Sequence, residues 1–256
     1  MTGQLMSVQG PMARRVRDVR LGLAAMATRD PRDPWWVPAP LDGPPCERPI
    51  KVALTVDPAK QGVDPAVAAA VEQAGRALAR AGYAVEPVDP PAVDAIAALW
   101  WTLVWGETRH LSLATIRKFG DAQLIRALDV CASGVPELDL TGYMKGLAQR
   151  SKHLRDWLLF LERYPLVVGP VSTEPPFVVG FDTDEGADAT RLLRAQRLLV
   201  AVNLLGLPAA AVPTGLAGGV PVGVQVIGSR YREDLCLDAA EVIEAHCGLE
   251  TPIDPI

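Results

Sequence analysis

Apolar residues recur at three- and four-residue spacings over much of this chain, the period of helices that bury one face. Met12, Val16, Val19, Leu23 and Met26 form the first such stripe. Gly10-Pro11 precedes it, and Pro suits the first helical position, where its missing N–H costs nothing. A helix opening at Pro11 is therefore expected, with Arg14, Arg15, Arg17 and Arg20 mostly on its solvated face. The next stretch, RDPRDPWWVPAPLDGPPCERP, holds too many prolines for regular structure. It predicts an extended connector pinned to a surface by Trp35 and Trp36.

A second pattern begins at IKVALTVDP, an apolar run of strand length. The segment from Asp64 to Ala81 then places Val67, Ala70, Val71, Ala74 and Leu78 on one helical face, and Gly82 ends it. YAVEPVDPP follows as another strand. Strand, helix and strand at this length make a βαβ unit, whose strands run parallel with a right-handed crossover. Continuous apolar strands of this kind are covered on both faces. From Val93 to Arg163 the period is helical, with breaks expected near Gly120, at Gly134-Val135-Pro136 and near Gly142. YPLVVGPVS reads as a strand running into a loop, and EPPFVVGFDTDEGAD as irregular. ATRLLRAQRLLVAVNLLG reads as one helix, LPAAAVPTG and VPVGVQVIGS as strands, and REDLCLDAAEVIEAHCG as a last amphipathic helix closed by Gly248. No internal repeat interrupts this order, so residues 1–256 are expected to form one α/β domain.

The uncharged span from Leu198 to Ser229 is long enough to cross a bilayer. Pro208, Pro213 and Pro221, with Gly206, Gly215, Gly218 and Gly219, break it too often for a membrane helix. It reads instead as the end of a buried helix and two buried strands joined by a Gly-rich turn. The formal net charge of −5 gives no reason to expect nucleic acid or an anionic membrane as partner. The four cysteines lack CxxC spacing and there are three histidines, so free thiols in a reducing cytoplasm are expected rather than a zinc site or disulfide framework. The N-terminal residues contain no apolar run of signal-peptide type.

Candidate chemistry is sparse. A serine hydrolase needs a nucleophile, a base within hydrogen-bond reach and donors for the oxyanion. No GxSxG elbow is present, nor a phosphate-cradling GxxxxGK[ST] or GxGxxG. Ser133 sits in a helix-ending turn, CASGVP. Ser172 lies just past a strand end, where sites of α/β sheets form. Trp101 and Trp105 are one turn apart and share a face with Glu107 nearby, which could line a pocket but is more simply the packing of a long helix. The candidate pocket wall is therefore Trp101, Trp105, Glu107, Ser172, Thr173 and Gln196, with no catalytic engine among them.

Three segments, taken in order, resemble a known family. VQGPMARRVRDVRLGLAAM is similar to the GPMAR-containing helix of the amidase signature family, DPRDPWW to the connector after it, and VNLLGLPAAAVPTG followed by GVPVGVQVIGSRYREDLCLDAA to its closing pattern. The resemblance covers essentially the whole chain but only the C-terminal half or so of a typical member. It implies a mixed, largely parallel sheet covered by helices on both faces, amide hydrolysis to an acid plus ammonia or an amine, and no metal or cofactor. In that family a serine, a second serine on a cis peptide and a lysine carry the reaction, with glycine N–H donors for the oxyanion. These precede the GPMAR helix, and none of Lys51, Lys60, Lys118, Lys145 or Lys152 stands in a matching context, so no catalytic residue is carried over. The resemblance thus implies a truncated amidase that is inactive alone, acting on a small-molecule amide only when complemented by an N-terminal-half chain, or a non-catalytic remnant, with a homodimer as a further possibility. A fragment of the related glutamyl-tRNA amidotransferase subunit is the remaining alternative. That branch carries an acid where this chain has Gln196. Fully burying one side chain of the Met12–Met26 stripe is worth roughly 1.5–3 kcal/mol against a domain stability of about 5–15 kcal/mol. Stripped of its cover, the chain is expected to aggregate or need a partner.

Overall fold

The computed structural model describes residues 2–183 and 189–247. Among these residues five strands form one sheet in the order β2-β1-β3-β5-β4: β1 (Lys51–Leu54), β2 (Ala84–Pro87), β3 (Leu166–Pro170), β4 (Ala209–Ala217) and β5 (Val220–Gly228). β1 pairs with β2 and with β3 in parallel, while β5 is antiparallel to both β3 and β4. Four of the five strands therefore run one way and β5 alone runs back. The sheet is mixed and largely parallel in direction.

Alternation along the strands builds two cores. Val52, Leu166, Val168, Val224 and Val226 face one side. Three helices cover them: α2 (Val16–Met26), α3 (Pro65–Arg80) and α10 (Glu233–Cys247). Ala53, Val167 and Ile227 face the other side. There they meet α4 (Val93–Leu111), α7 (Leu140–Arg163) and α9 (Arg197–Leu205), with the short α1 (Thr2–Met6) at the margin. α5 (Leu113–Phe119) and α6 (Ala122–Ala132) bury no residue, and α8 (Ala189–Ala195) precedes α9.

The β1–α3–β2 unit follows its sequence pattern closely. Asp64 caps α3 by accepting from the Ala66 N–H at 2.8 Å, and Val67, Ala70, Val71, Ala74 and Leu78 are all buried. Other expectations need correction. The first stripe does not form one helix from Pro11, because α2 begins at Val16 and Met12 is 97% exposed. The start is set by the Glu244 carboxylate, which accepts from the Val16 N–H at 3.1 Å. Only Val16 is buried, with Val19 and Leu23 packed beside it and Met26 half exposed. In the connector Trp36 is anchored through Nε1 to the Ala27 carbonyl, whereas Trp35 is exposed. The helical span breaks at Ser112 and not at Gly142, which lies in the first turn of α7 and donates its N–H to the capping Asp139. The segment 189–206 is two helices that meet at Gln196. Gly206 ends α9 in the left-handed region (φ 68°), the backbone a C-terminal glycine adopts freely. β4 is not buried throughout, since Ala209, Ala211, Pro213 and Leu216 are exposed. The expected stop at Gly248 lies outside the described residues. Among the described residues no helix is long and apolar enough to cross a membrane.

Candidate functional site

Beyond the carboxyl end of β3 the chain must leave the sheet, and β5 enters beside it from the opposite direction. Ligands of open α/β sheets gather at this edge. A cavity of about 410 Å³ lies there, between the 171–177 loop, the α8–α9 junction and the paired β4 and β5. Its lining is mostly apolar and includes Val67, Val212, Val222 and Phe177, while Ser172, Glu174 and Gln196 present polar groups.

Two devices hold these walls. The first is a knot around Arg197, which is 1% exposed. Its guanidinium donates to the Asp57 carboxylate at 2.7 Å, to the Pro58 carbonyl, to the Gly62 carbonyl at 3.2 Å, to the Thr173 hydroxyl at 3.3 Å and to the Arg194 carbonyl. Burial lowers the Arg197 pKa, opposed by the nearby Asp57 charge. The β1–α3 connection, with Ala59 and Lys60 in the left-handed region (φ 64° and 54°), is thereby tied to the first turn of α9. Unfavourable backbone of this kind persists where surrounding contacts over-determine it. Thr173 completes the knot: its N–H donates to the Ala195 carbonyl and its own carbonyl accepts from the Asp64 N–H, both at 2.8 Å.

The second device is an aromatic clamp. Phe177 and Phe181 stack with centroids 4.4 Å apart, and the Arg191 guanidinium lies over both rings at 5.9 and 5.3 Å. The same guanidinium grips the Glu174 carboxylate at 2.5–3.2 Å. Arg191 on α8 thus fixes the loop that carries Phe177 and pairs with the Glu174 carboxylate at the rim.

The expected pocket residues separate into two places. Ser172 and Gln196 meet at the cavity, and Thr173 lies buried behind it. The Ser172 hydroxyl is spent locally, donating to the Glu174 carbonyl at 2.7 Å and accepting from the Glu174 N–H at 3.2 Å, an arrangement that shapes the turn. Gln196 owes its position to the break between α8 and α9. Trp101, Trp105 and Glu107 do not join them. Trp105 is buried in α4, edge-on to Trp101 at 6.1 Å. Glu107 caps α1, accepting from the Thr2 N–H at 2.8 and 2.9 Å, from the Thr2 hydroxyl at 2.6 Å and from the Tyr143 hydroxyl. Burial works against its ionisation, but these donors prevail and hold its pKa at about 2. The Tyr143 pKa is raised in turn, by burial and by the Glu107 charge.

Phe177 and Arg191 escaped the sequence reading. The spacing of Phe177 and Phe181 was the available signal, but their partner lies fourteen residues beyond Phe177, across a segment with no apolar period. Among the described residues, the hydroxyls of Ser151 and Ser172 donate to main-chain carbonyls and Lys152 pairs with Asp156, so these groups are engaged structurally.

The model of one protein family, Amidase, matches residues 2–237. The indoleacetamide hydrolase of Bradyrhizobium japonicum is 44% identical over 250 residues, which cover 97% of this chain and 54% of that protein. A glutamyl-tRNA(Gln) amidotransferase subunit from a Picosynechococcus species is 28% identical, over 92% of this chain and 54% of its own length. Among solved structures, a bacterial aryl acylamidase of the amidase signature enzymes superposes with a TM-score of 0.71 at 21% identity, covering 93% of this chain and 53% of the other, a likeness of fold alone. The chain spans about half the length of the curated relatives it matches.

Proposed function

The chain belongs to the amidase family, and on that premise we propose that it supplies the scaffold and one wall of the acyl cavity of an amidase acting on an aromatic acetamide. The serine–lysine machinery implied by the family belongs, in this reading, to residues outside the 256 of this chain. The reaction is hydrolysis: the acyl carbon loses its bond to nitrogen, gains one to the oxygen of water, and ammonia departs. What carries the reading is the cavity. At about 410 Å³ it falls within the range of small-molecule sites, and it is mostly apolar and aromatic at Phe177, with its lining carboxylate Glu174 paired to Arg191. Phe177 presents a ring held by Arg191, suited to stacking on a flat acyl group. The Gln196 carboxamide offers both a donor and an acceptor to a ring N–H or a carbonyl. The 44% identity to an indoleacetamide hydrolase supports an indole as that group.

The amidotransferase reading is weaker on the same geometry. A glutamine substrate carries an ammonium, and the acid at this rim, Glu174, is already paired with Arg191. Gln196 supplies no charge in its place.

Ammonia release from indole-3-acetamide tests the proposal. The purified chain is expected to release none, and to release it when mixed with the portion of the Bradyrhizobium enzyme that this chain does not match. Robust hydrolysis by the chain alone, abolished in Ser172→Ala, would overturn it.

A further inference from the structure

The guanidinium of Arg191 rests among three groups that each attract a cation. The Glu174 carboxylate accepts from its Nε at 2.9 and 3.2 Å and from its Nη2 at 2.5 Å. The ring centroids of Phe177 and Phe181 lie 5.9 and 5.3 Å from it, within cation–π reach. A carboxylate beside two stacked rings is a cage for a cation, and here a side chain of the same chain fills it.

The cage adjoins the cavity, because Glu174 and Phe177 both line it. Among the described residues of that lining, Glu174 is the one that carries a charge. Its side chain is 25% exposed, and an acid set this far among apolar groups needs a partner. Ser172 does not supply one, since its hydroxyl is bound to the Glu174 main chain. Arg191 reaches the acid from α8 instead.

We propose that Arg191 sets the charge preference of the cavity: by occupying the Glu174–Phe177–Phe181 cage it admits a neutral aromatic acyl group and refuses a cationic one. This deepens the function proposed above and rests on it for the acyl group. An ammonium on the acyl ring would leave water for a lining of Val212, Val222 and Phe177 while its natural counter-ion is engaged, which is costly. A neutral ring loses nothing by the pairing and meets a Phe177 ring already held in place. The tether favours the resident cation, since a side chain anchored on α8 faces the cage at a local concentration that a free ligand does not match. Arg191 acts through Glu174 and Phe177, so it is a positioning residue.

Two amides of nearly one shape separate charge from size. One is para-ethylphenylacetamide, which is neutral, and the other is para-(aminomethyl)phenylacetamide, which carries an ammonium at neutral pH. The full chain, alone and mixed with the unmatched portion of the Bradyrhizobium indoleacetamide hydrolase, is titrated with each by equilibrium dialysis. The parent is expected to bind the neutral amide at least tenfold more tightly. Arg191→Gln should move that ratio at least fivefold toward the cation. Arg191→Lys should keep the parent ratio, and Glu174→Gln added to Arg191→Gln should restore it. A merely structural Arg191 would weaken both ligands together and leave the ratio unmoved, which overturns the proposal. A parent that prefers the cation, or that binds neither amide, overturns it as well. Should Arg191→Gln fail to fold, Glu174→Gln alone decides: it removes a negative charge and keeps Arg191, so the preference for the neutral amide should widen, and an unchanged ratio overturns the proposal. Ammonia release from indole-3-acetamide by the same mixture reports on the proposed function separately. Release with an unmoved ratio fails the charge preference alone, and no release with the expected ratios fails the proposed function alone.

Discussion

Arg197 of α9 and Gln225 of β5 are equally buried, and they are served very differently. The guanidinium of Arg197 reaches a carboxylate, a hydroxyl and three carbonyls, and two loops are tied down by it. The carboxamide of Gln225 is met at its nitrogen and left open at its oxygen. The first region is closed, with its polar groups paired inside this chain. The second is packed as tightly but leaves one acceptor unpaired. The contrast separates a buried polar group that the fold fully satisfies from one that it satisfies by half.

Substitutions at the two sites should therefore differ in size. Arg197→Met should be the most damaging, because Asp57 and three carbonyls lose their donor together. Removing one side of such a buried arrangement costs about 3–5 kcal/mol, readable as a much lower midpoint in urea. Gly223→Ala should come next, at about 1–3 kcal/mol, since its methyl group meets backbone that can yield only by moving β4. Gln225→Leu should change the stability of the free chain by less than either, within about 1 kcal/mol, because the unmet acceptor and the Nε2–Pro170 hydrogen bond disappear together. A loss as large as that of Arg197→Met would erase the contrast. The smallest effect is expected at the remote Glu107 cap and depends on pH. Its pKa is held at about 2 against the usual 4.5. The stabilisation is present in full above about pH 4.5 and drains away as pH falls toward 2, because the unfolded chain takes up the proton first. Glu107→Gln should flatten that part of a melting-temperature profile, melting below the parent at neutral pH and converging with it as pH falls toward 2.

The sequence and the structure agree where local signals and tertiary packing point the same way. The β1–α3–β2 unit was readable because Asp64 caps the helix, its apolar period is unbroken and Gly82 ends it. Disagreement arises where a distant group decides. No local signal tells that α2 waits for Glu244 before starting, or that the 189–206 period is cut at Gln196, where Thr173 binds the Ala195 carbonyl. Gly142 suggested a break, but a glycine in a first turn capped by Asp139 is tolerated. At the cavity, Ser172 and Gln196 were placed together by their position past the strand and by the family pattern. Phe177 and Arg191 were not, since they meet only once α8 has folded back. Trp101 and Glu107 share a helix with each other and no site with Ser172.

Labelling with a fluorophosphonate that carries an arylmethyl group, followed by peptide mass spectrometry, tests the division between scaffold and chemistry most directly. In a mixture of this chain with the unmatched portion of its Bradyrhizobium relative, the adduct is expected on a serine of that portion and on no serine of this chain. An adduct on Ser172, or on any other serine here, would place the nucleophile within this polypeptide and contradict the division.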